Sequence, residues 1–337
     1  MSVTTPDTEP AATIEPELAP RTAAEVPTAA ADAGRALVIG EALVDVVRRA
    51  DGSTSEHPGG SPANVAIGLA RLDRGVDLLT WYGADAHGRV LADHLTGAGV
   101  DIVPGSDTAE RTSVATAVLD TAGVASYVFD LSWHVPDSWS APPAPPVVVH
   151  TGSIAAILEP GGADVSRILA AHRDSATITY DPNMRPSLMP PADVTRPMVE
   201  ALVALADVVK VSDEDLAWLE PGIDPLEVAR RWVATGPAVV VITRGGEGAT
   251  ALTAAGSRVD VVAPDVVVAD TVGAGDSFMG GLIDGLWSAG LLGGARRGEL
   301  HAASDATWAD VLTRCARIAA ITVSRAGANP PTTAELA

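Results

Sequence analysis

An α/β fold, with one main sheet flanked by helices, is what this 337-residue sequence predicts. Three observations predict it. From Arg35 onward, short β-rich apolar runs alternate with segments of helical period. Several of the apolar runs stop at Gly, Ser, Asp or Asn, as strands do where a sheet carries function at its carboxyl edge. At 47% hydrophobic composition the chain can bury one large core with a small appendage.

Met1 to Gly34 are rich in Ala, Pro, Thr and Glu, and set Asp7, Glu9, Glu15, Glu17, Glu25 and Asp32 against Arg21 alone. That composition predicts a disordered, solvated acidic tail over 1–34, ahead of one domain over 35–337. No basic segment followed by an apolar one opens the chain, and no apolar run approaches spanning length, so the expectation is a cytoplasmic protein without a membrane partner.

The predicted strands are Ala36 to Ile39, Leu78 to Trp81, Val147 to His150, Thr177 to Tyr180, Val208 to Lys210 and Ala238 to Thr243. Between Ser113 and Phe129 two β-rich runs flank the turn Thr121-Ala122-Gly123 with no helix between them, which predicts a hairpin. Leu43 to Val47 and the run after Asp51-Gly52-Ser53 predict a second extended pair. Together, strands within about 43–57 and 113–131 make a small sheet able to serve as a lid. The proline-rich Ala141 to Pro146 then returns the chain to the core.

Three helices are marked. Ser61 reads as the N-cap of the first, with Pro62 at its first position and Val65, Leu69 and Leu72 on one face. The second starts near Gly275 and carries Phe278, Leu282 and Leu286. The third includes Trp308, Leu312, Cys315, Ala319 and Thr322 and predicts a core helix. The lone cysteine excludes an intramolecular disulfide and any multi-Cys zinc site.

A net charge of -21 argues against nucleic acid as a partner. It leaves room for a local anion site built from backbone N–H groups. The run from Asp270 to Phe278, Asp-Thr-Val-Gly-Ala-Gly-Asp-Ser-Phe, follows the apolar Val266 to Val268, read as a strand, and opens the second helix. Gly273 and Gly275 permit a tight turn whose N–H groups converge at the positive end of the helix dipole, where transferred phosphoryl oxygens would gather charge. Asp276, in the first turn, is stabilised there as the anion. A weak base in reach of an oriented hydroxyl suffices for phosphoryl transfer through a loose transition state. Taken alone, an acid at a helix start is usually no more than a partner of the dipole; its Gly-x-Gly-Asp setting favours a catalytic reading.

The second constellation is His57-Pro-Gly59-Gly60-Ser61-Pro62-Ala63-Asn64, a turn without bulk that leads into the first helix. Asn64 offers a donor and acceptors to vicinal hydroxyls, and Asp45 offers acceptors. No Gly-x-x-x-x-Gly-Lys-Ser/Thr run exists, the first strand lacks Gly-x-Gly-x-x-Gly, and the histidines show no metal spacing. The sole lysine, Lys210, lies on another strand.

Gly-Gly-Ser-Pro-Ala-Asn-Val-Ala near the start and Asp-Thr-Val-Gly-Ala-Gly-Asp near the end resemble the paired signatures of the ribokinase-like (PfkB) carbohydrate kinases, fructokinase-type members most of all. The resemblance runs from about Arg35 to Pro331 and takes in Gly83 to Gly88, Thr151 to Ser153, Asp181 to Arg185 and Thr243 to Gly248. It implies a three-layer α/β/α sandwich with a small β-sheet lid, and ATP-dependent phosphorylation of a monosaccharide hydroxyl, D-fructose first. On this resemblance Asp276 is the base and Gly273, Ala274 and Gly275 the anion hole. Asp45, Gly60, Asn64 and Arg185 meet the sugar, while Thr243, Gly245, Gly248 and Asn329 lie beside the nucleotide. Tyr127, Phe129 and Trp133 are the lid side chains expected to set specificity. The resemblance further implies Mg2+ brought with ATP, a monovalent-cation site bordered by Asp270 with K+ as its candidate, and a homodimer paired through lid sheets. There is a departure. Where the family has Asn-x-x-Glu to organise magnesium through water, this chain has Ser212-Asp-Glu-Asp215, with a shorter reach. The alternatives are 2-keto-3-deoxygluconate kinase, where Arg185 would meet a carboxylate, ribokinase or a nucleoside kinase, and a non-catalytic sugar- or nucleotide-binding protein on the same fold.

Overall fold

The computed structural model describes residues 34–119 and 125–337. The predicted acidic tail and the turn Thr121-Ala122-Gly123 lie outside the described residues. Thirteen strands are found among the described residues: β1 (Ala36–Ile39), β2 (Leu43–Arg48), β3 (Thr54–Gly59), β4 (Val76–Leu79), β5 (Asp101–Ile102), β6 (Val114–Leu119), β7 (Ala125–Asp130), β8 (Val148–Gly152), β9 (Thr177–Asp181), β10 (Val208–Ser212), β11 (Val239–Thr243), β12 (Ala249–Thr253) and β13 (Arg258–Val261). The helices are α1 (Ser61–Arg71), α2 (Ala86–Gly97), α3 (Gly161–His172), α4 (Ala192–Leu205), α5 (Asp213–Leu219), α6 (Pro225–Val233), α7 (Ala274–Ser288), α8 (Arg297–His301), α9 (Asp305–Val323) and α10 (Thr333–Leu336).

The main sheet runs β13-β12-β11-β10-β9-β8-β1-β4-β5. Pairing is parallel from β5 to β11 and antiparallel at the β12 and β13 edge. Strand periodicity separates its side chains onto two faces. Ala36, Val38, Val239 and Val241 pack with α1, α7 and α9 in one apolar cluster, whereas Leu37, Ile39, Val240 and Ile242 pack with α3, α4 and α6 in the other. This is the three-layer sandwich. Glycines at 281 and 285 let α7 lie against α9, where an added Cβ would stand within 3 Å of Ile318 or Val311. Cys315, fully buried where these helices meet, is core, and burial pushes its thiol well above the ordinary range.

The second sheet, β3-β2-β6-β7, is the predicted small one. The Gly83 to Gly88 motif anchors its base, because the Asp85 carboxylate accepts from Gly88 N to cap α2, and from Thr112 N and Oγ1 where the chain enters β6. Two expectations shift. The strand predicted over Leu78 to Trp81 lies at Val76–Leu79. Val266 to Val268 forms no strand, and Val267 is 87% exposed, because the residues of this run find no pairing partner in either sheet. Among the described residues no helix is long and apolar enough to cross a membrane.

Candidate active site

Strand order reverses at β1, which has β4 on one side and β8 on the other. A crevice opens at the carboxyl edge of a parallel sheet at such a point. Gly40 and Glu41 follow β1 there, Ser153 follows β8, Asp181 to Asn183 close β9, Ser212 closes β10 and Thr243 closes β11.

Helix α7 begins beside this edge. Gly273 adopts the left-handed conformation at its N-cap with φ 74°, and no side chain caps the helix. The N–H groups of Gly275 and Asp276 have no partner among the described residues, as expected in a first helical turn. Asp276 is only 6% exposed. Its Oδ1 accepts from Ser61 Oγ at 2.7 Å and from Asn183 Nδ2 at 3.4 Å, and its Oδ2 accepts from Asn64 Nδ2 at 2.8 Å. Asn183 Nδ2 also donates to Ser61 Oγ at 2.7 Å.

Two of these interactions were not anticipated. Ser61 is not the N-cap of α1; Gly60 is, with φ 113°, and the Ser61 hydroxyl is turned to Asp276 instead. A Cβ on Gly60 would stand 2.4 Å from the Glu41 carbonyl oxygen, so only glycine admits this approach of α1 to the chain leaving β1. Asn183 stands in a sequence motif that gave it no role. Its local sign is a positive φ of 39°, uncommon for a residue other than glycine.

Asp45, on β2, opens onto a cavity of about 260 Å³ under the small sheet, shared with Ala115, Ala117, Tyr127, Phe129 and Ser187. The Tyr127 and Phe129 rings stack with centroids 6.0 Å apart. Trp133 does not join them: it is 4% exposed, packed in the core over Gly161, where even a Cβ would collide with its ring. Arg185 turns its guanidinium back on its own loop, donating to Asn183 O and Oδ1 and to Met184 O. A larger hollow of about 620 Å³, lined by Arg71, Asp93, His94 and Thr332 among others, shares no residue with the predicted site.

Glu41 accepts from Ser61 N and Ala155 N, tying α1 to the segment after β8. Burial pushes its carboxyl up to about 7, against the pull of Ser153, the Ala155 N–H and the Arg185 charge. The folded state therefore binds a proton that the unfolded state releases near 4.5. This stability is fully present below the unfolded value and is lost as pH rises through about 7; a displacement of that size is worth at most about 3 kcal/mol. Glu41→Gln is expected to remove this slope. Thermal unfolding near pH 5 and near pH 8 checks it, since the variant should gain on the wild type only at the higher pH.

On the far side of the edge, Arg244 N donates to Gly248 O and closes the turn holding Thr243, Gly245 and Gly248. Asn329 faces α1, its Oδ1 accepting from Arg71. Asp270 accepts from Val272 N and Gly327 N, joining the approach to α7 with the loop after α9; these donors hold its carboxyl below the usual range. Ser212 and Asp215 form a capping box on α5, and Asp215 Oδ1 also accepts from Met184 N at 2.8 Å. Both of its oxygens are thus engaged by backbone. Among the described residues no group of three or more His, Cys, Asp or Glu side chains is placed to hold a metal ion.

A mostly parallel α/β sheet joined by a smaller sheet, with a buried carboxylate at the glycine-rich start of a helix, is an arrangement suited to phosphoryl transfer to a small alcohol. The chain belongs to the pfkB family of carbohydrate kinases, whose model matches residues 34–335. Fructokinase from Klebsiella pneumoniae is 32% identical over 265 residues, which cover 77% of this chain and 86% of that one. A fructokinase double mutant from Vibrio cholerae O395, in a form bound to fructose, ADP and potassium ion, superposes with a TM-score of 0.75 at 28% identity, covering 90% of this chain and 97% of that one. Aminoimidazole riboside kinase from Salmonella enterica, complexed with aminoimidazole riboside and an ATP analogue, gives 0.68 at 26% identity, with 87% and 95% covered.

Proposed function

We propose that this protein is an ATP-dependent fructokinase with Asp276 as its base and residues 35–337 as its kinase domain. The observation that carries the reading is Asp276, buried at the uncapped start of α7 and hydrogen-bonded to Ser61 and Asn64 of the Gly-Gly-Ser-Pro-Ala-Asn helix. In this reading a fructose hydroxyl takes its place against the Asp276 carboxylate, with Asp45, Gly60, Asn64 and Arg185 around the sugar and the sheet of β2, β3, β6 and β7 closing over it as a lid. The sugar oxygen bonds to the γ-phosphorus as the bond to the β-phosphate oxygen breaks. The hydroxyl proton passes to Asp276, and ADP departs with the electron pair. Gly273, Ala274 and Gly275 direct N–H groups at the transferred phosphoryl oxygens. Thr243, Gly245, Gly248 and Asn329 border the nucleotide.

Mg2+ carried on ATP supplies neutralisation of the phosphate charge. Asp215 meets the metal only indirectly in this reading, its own oxygens serving Ser212 and Met184. A potassium ion beside Asp270 belongs to the same proposal, on the precedent of the Vibrio cholerae protein, and the cytoplasm, where ATP is held, is the proposed place of action. A homodimer through the lids is supported by the exposed edge strand β7 and by Val118 and Val128, exposed on the face opposite Tyr127 and Phe129; sedimentation velocity should give a dimer that Val128→Glu reduces to monomer.

ATP consumption over fructose, ribose, 2-keto-3-deoxygluconate, glucose and aminoimidazole riboside tests the substrate. The highest kcat/KM is expected with fructose. A higher value with any other acceptor, or none with all of them, overturns the assignment. Against the keto-acid, the Arg185 guanidinium already serves three backbone and side-chain oxygens of its own loop.

A further inference from the structure

Lys210 is the only lysine in the chain, and it is 3% exposed in the middle of β10. Its neighbours Val209 and Val211 belong to the core on the α3 to α6 side, so by strand alternation its side chain leaves the sheet on the α7 side. There Nζ stands 2.8 Å from Asp181 Oδ2. It also stands 3.0 Å from the point where a Cβ on Gly275 would be, directly beneath the first turn of α7. All other ion pairs among the described residues use arginine or histidine.

We propose that Lys210 is a positioning residue for phosphoryl transfer: a buried ammonium that adds its charge, from below, to the N–H groups of Gly275 and Asp276. The inference rests on the kinase reading above and deepens it. Burial by itself would discharge an amine, and the nearby carboxylates of Asp181, then Asp215 and Asp276, outweigh that cost and hold the ammonium charged. His150, the remaining titratable group beside it, is kept neutral by burial, with Lys210 adding to the effect. Lys210 is thus a fixed cation on the face of the sheet below α7. A fixed charge in a water-excluded site acts most on charge that appears only during the reaction, and it needs no reorganisation to do so. Gly275 leaves room for this approach, since a Cβ there would stand 3.0 Å from Nζ and the ammonium would have to give by a few tenths of an ångström.

A purely structural role, neutralising Asp181, predicts something different, and the paired variant Lys210→Met/Asp181→Asn separates the two because it leaves no uncompensated charge. Calorimetric titration with ADP, and with ADP plus aluminium fluoride and fructose, is the readout. The paired variant is expected to bind ADP and fructose as the wild type does, and to bind the aluminium fluoride complex about a hundredfold more weakly. Equal affinity for that complex, or equal loss for both ligands, overturns the proposal. A measurement on the unaltered protein stands beside it. Labelling with [15N]lysine gives one side-chain ammonium resonance, expected to move on addition of ADP with aluminium fluoride and fructose beyond any change with ADP and fructose; an unmoved resonance overturns the proposal. Wild-type turnover on the sugar panel is scored separately. Turnover with an unmoved resonance removes only the role of Lys210, and a moving resonance without turnover of any sugar removes only the fructokinase assignment.

Discussion

Asp276→Asn is expected to lower kcat about a thousandfold, within the range general-base removal usually gives, with fructose and ADP affinities nearly unchanged. The amide keeps the shape of the carboxylate and enough polar capacity to stay in place. Its oxygen can accept from Asn64, and its NH2 can donate to Ser61 Oγ, two of the three partners Asp276 has now. What it loses is the capacity to take up the hydroxyl proton. Steady-state kinetics with calorimetric binding checks this: a fall in kcat of less than about tenfold would remove Asp276 from the role of base, and a parallel loss of fructose affinity would make it a binding residue.

Gly273→Ala is expected to cost both stability and rate. The residue holds a φ of 74°, and a Cβ there would lie 2.5 Å from the Ala328 side chain and 2.8 Å from the Ala328 backbone. Strain of this kind costs about 1–3 kcal/mol. Moving the turn away from Ala328 displaces the N–H groups at the start of α7, and loss of one aligned donor in an anion hole lowers kcat about a hundredfold or more. Melting temperature and kcat should fall together. Ala328→Gly, added as a second change, removes the nearest clashing atom and leaves the clash with the backbone, so it should restore part of both. Normal kcat in the single variant would show that this turn does not hold the transferred group.

The strands of the main sheet were legible because apolar runs such as Ala36 to Ile39 and Ala238 to Thr243 send alternate residues into two different cores. β12 and β13 were not. Ala249–Thr253 is fully buried yet is built of Ala, Thr and Leu, too mixed to register as an apolar run, and its burial comes from lying between the two cores, with Ala249 and Ala251 in one and Leu252 in the other. Val266 to Val268 failed in the opposite direction, since an apolar run is a strand only where another strand offers it hydrogen bonds.

At the site, glycines and the acid of the α7 segment could be read because a tight turn into a helix is a local demand. The approach of Ser61 to Asp276 and of Lys210 to the space beside Gly275 joins residues far apart in the sequence. Nothing within a few positions of either residue announces its partner. Ser61 next to Pro62 satisfies the local rule for a helix cap, and that rule lost to a stronger acceptor delivered by another helix.

A carboxylate offers about four lone-pair directions. Three donors, Ser61, Asn64 and Asn183, address the Asp276 oxygens, and the weakest of them is 3.4 Å away. The same crowding leaves one seat at the carboxylate. In the fructokinase reading proposed above, a polyol with several chemically similar hydroxyl groups fills it with one of them at a time, and the contacts that orient the rest of the sugar select which one.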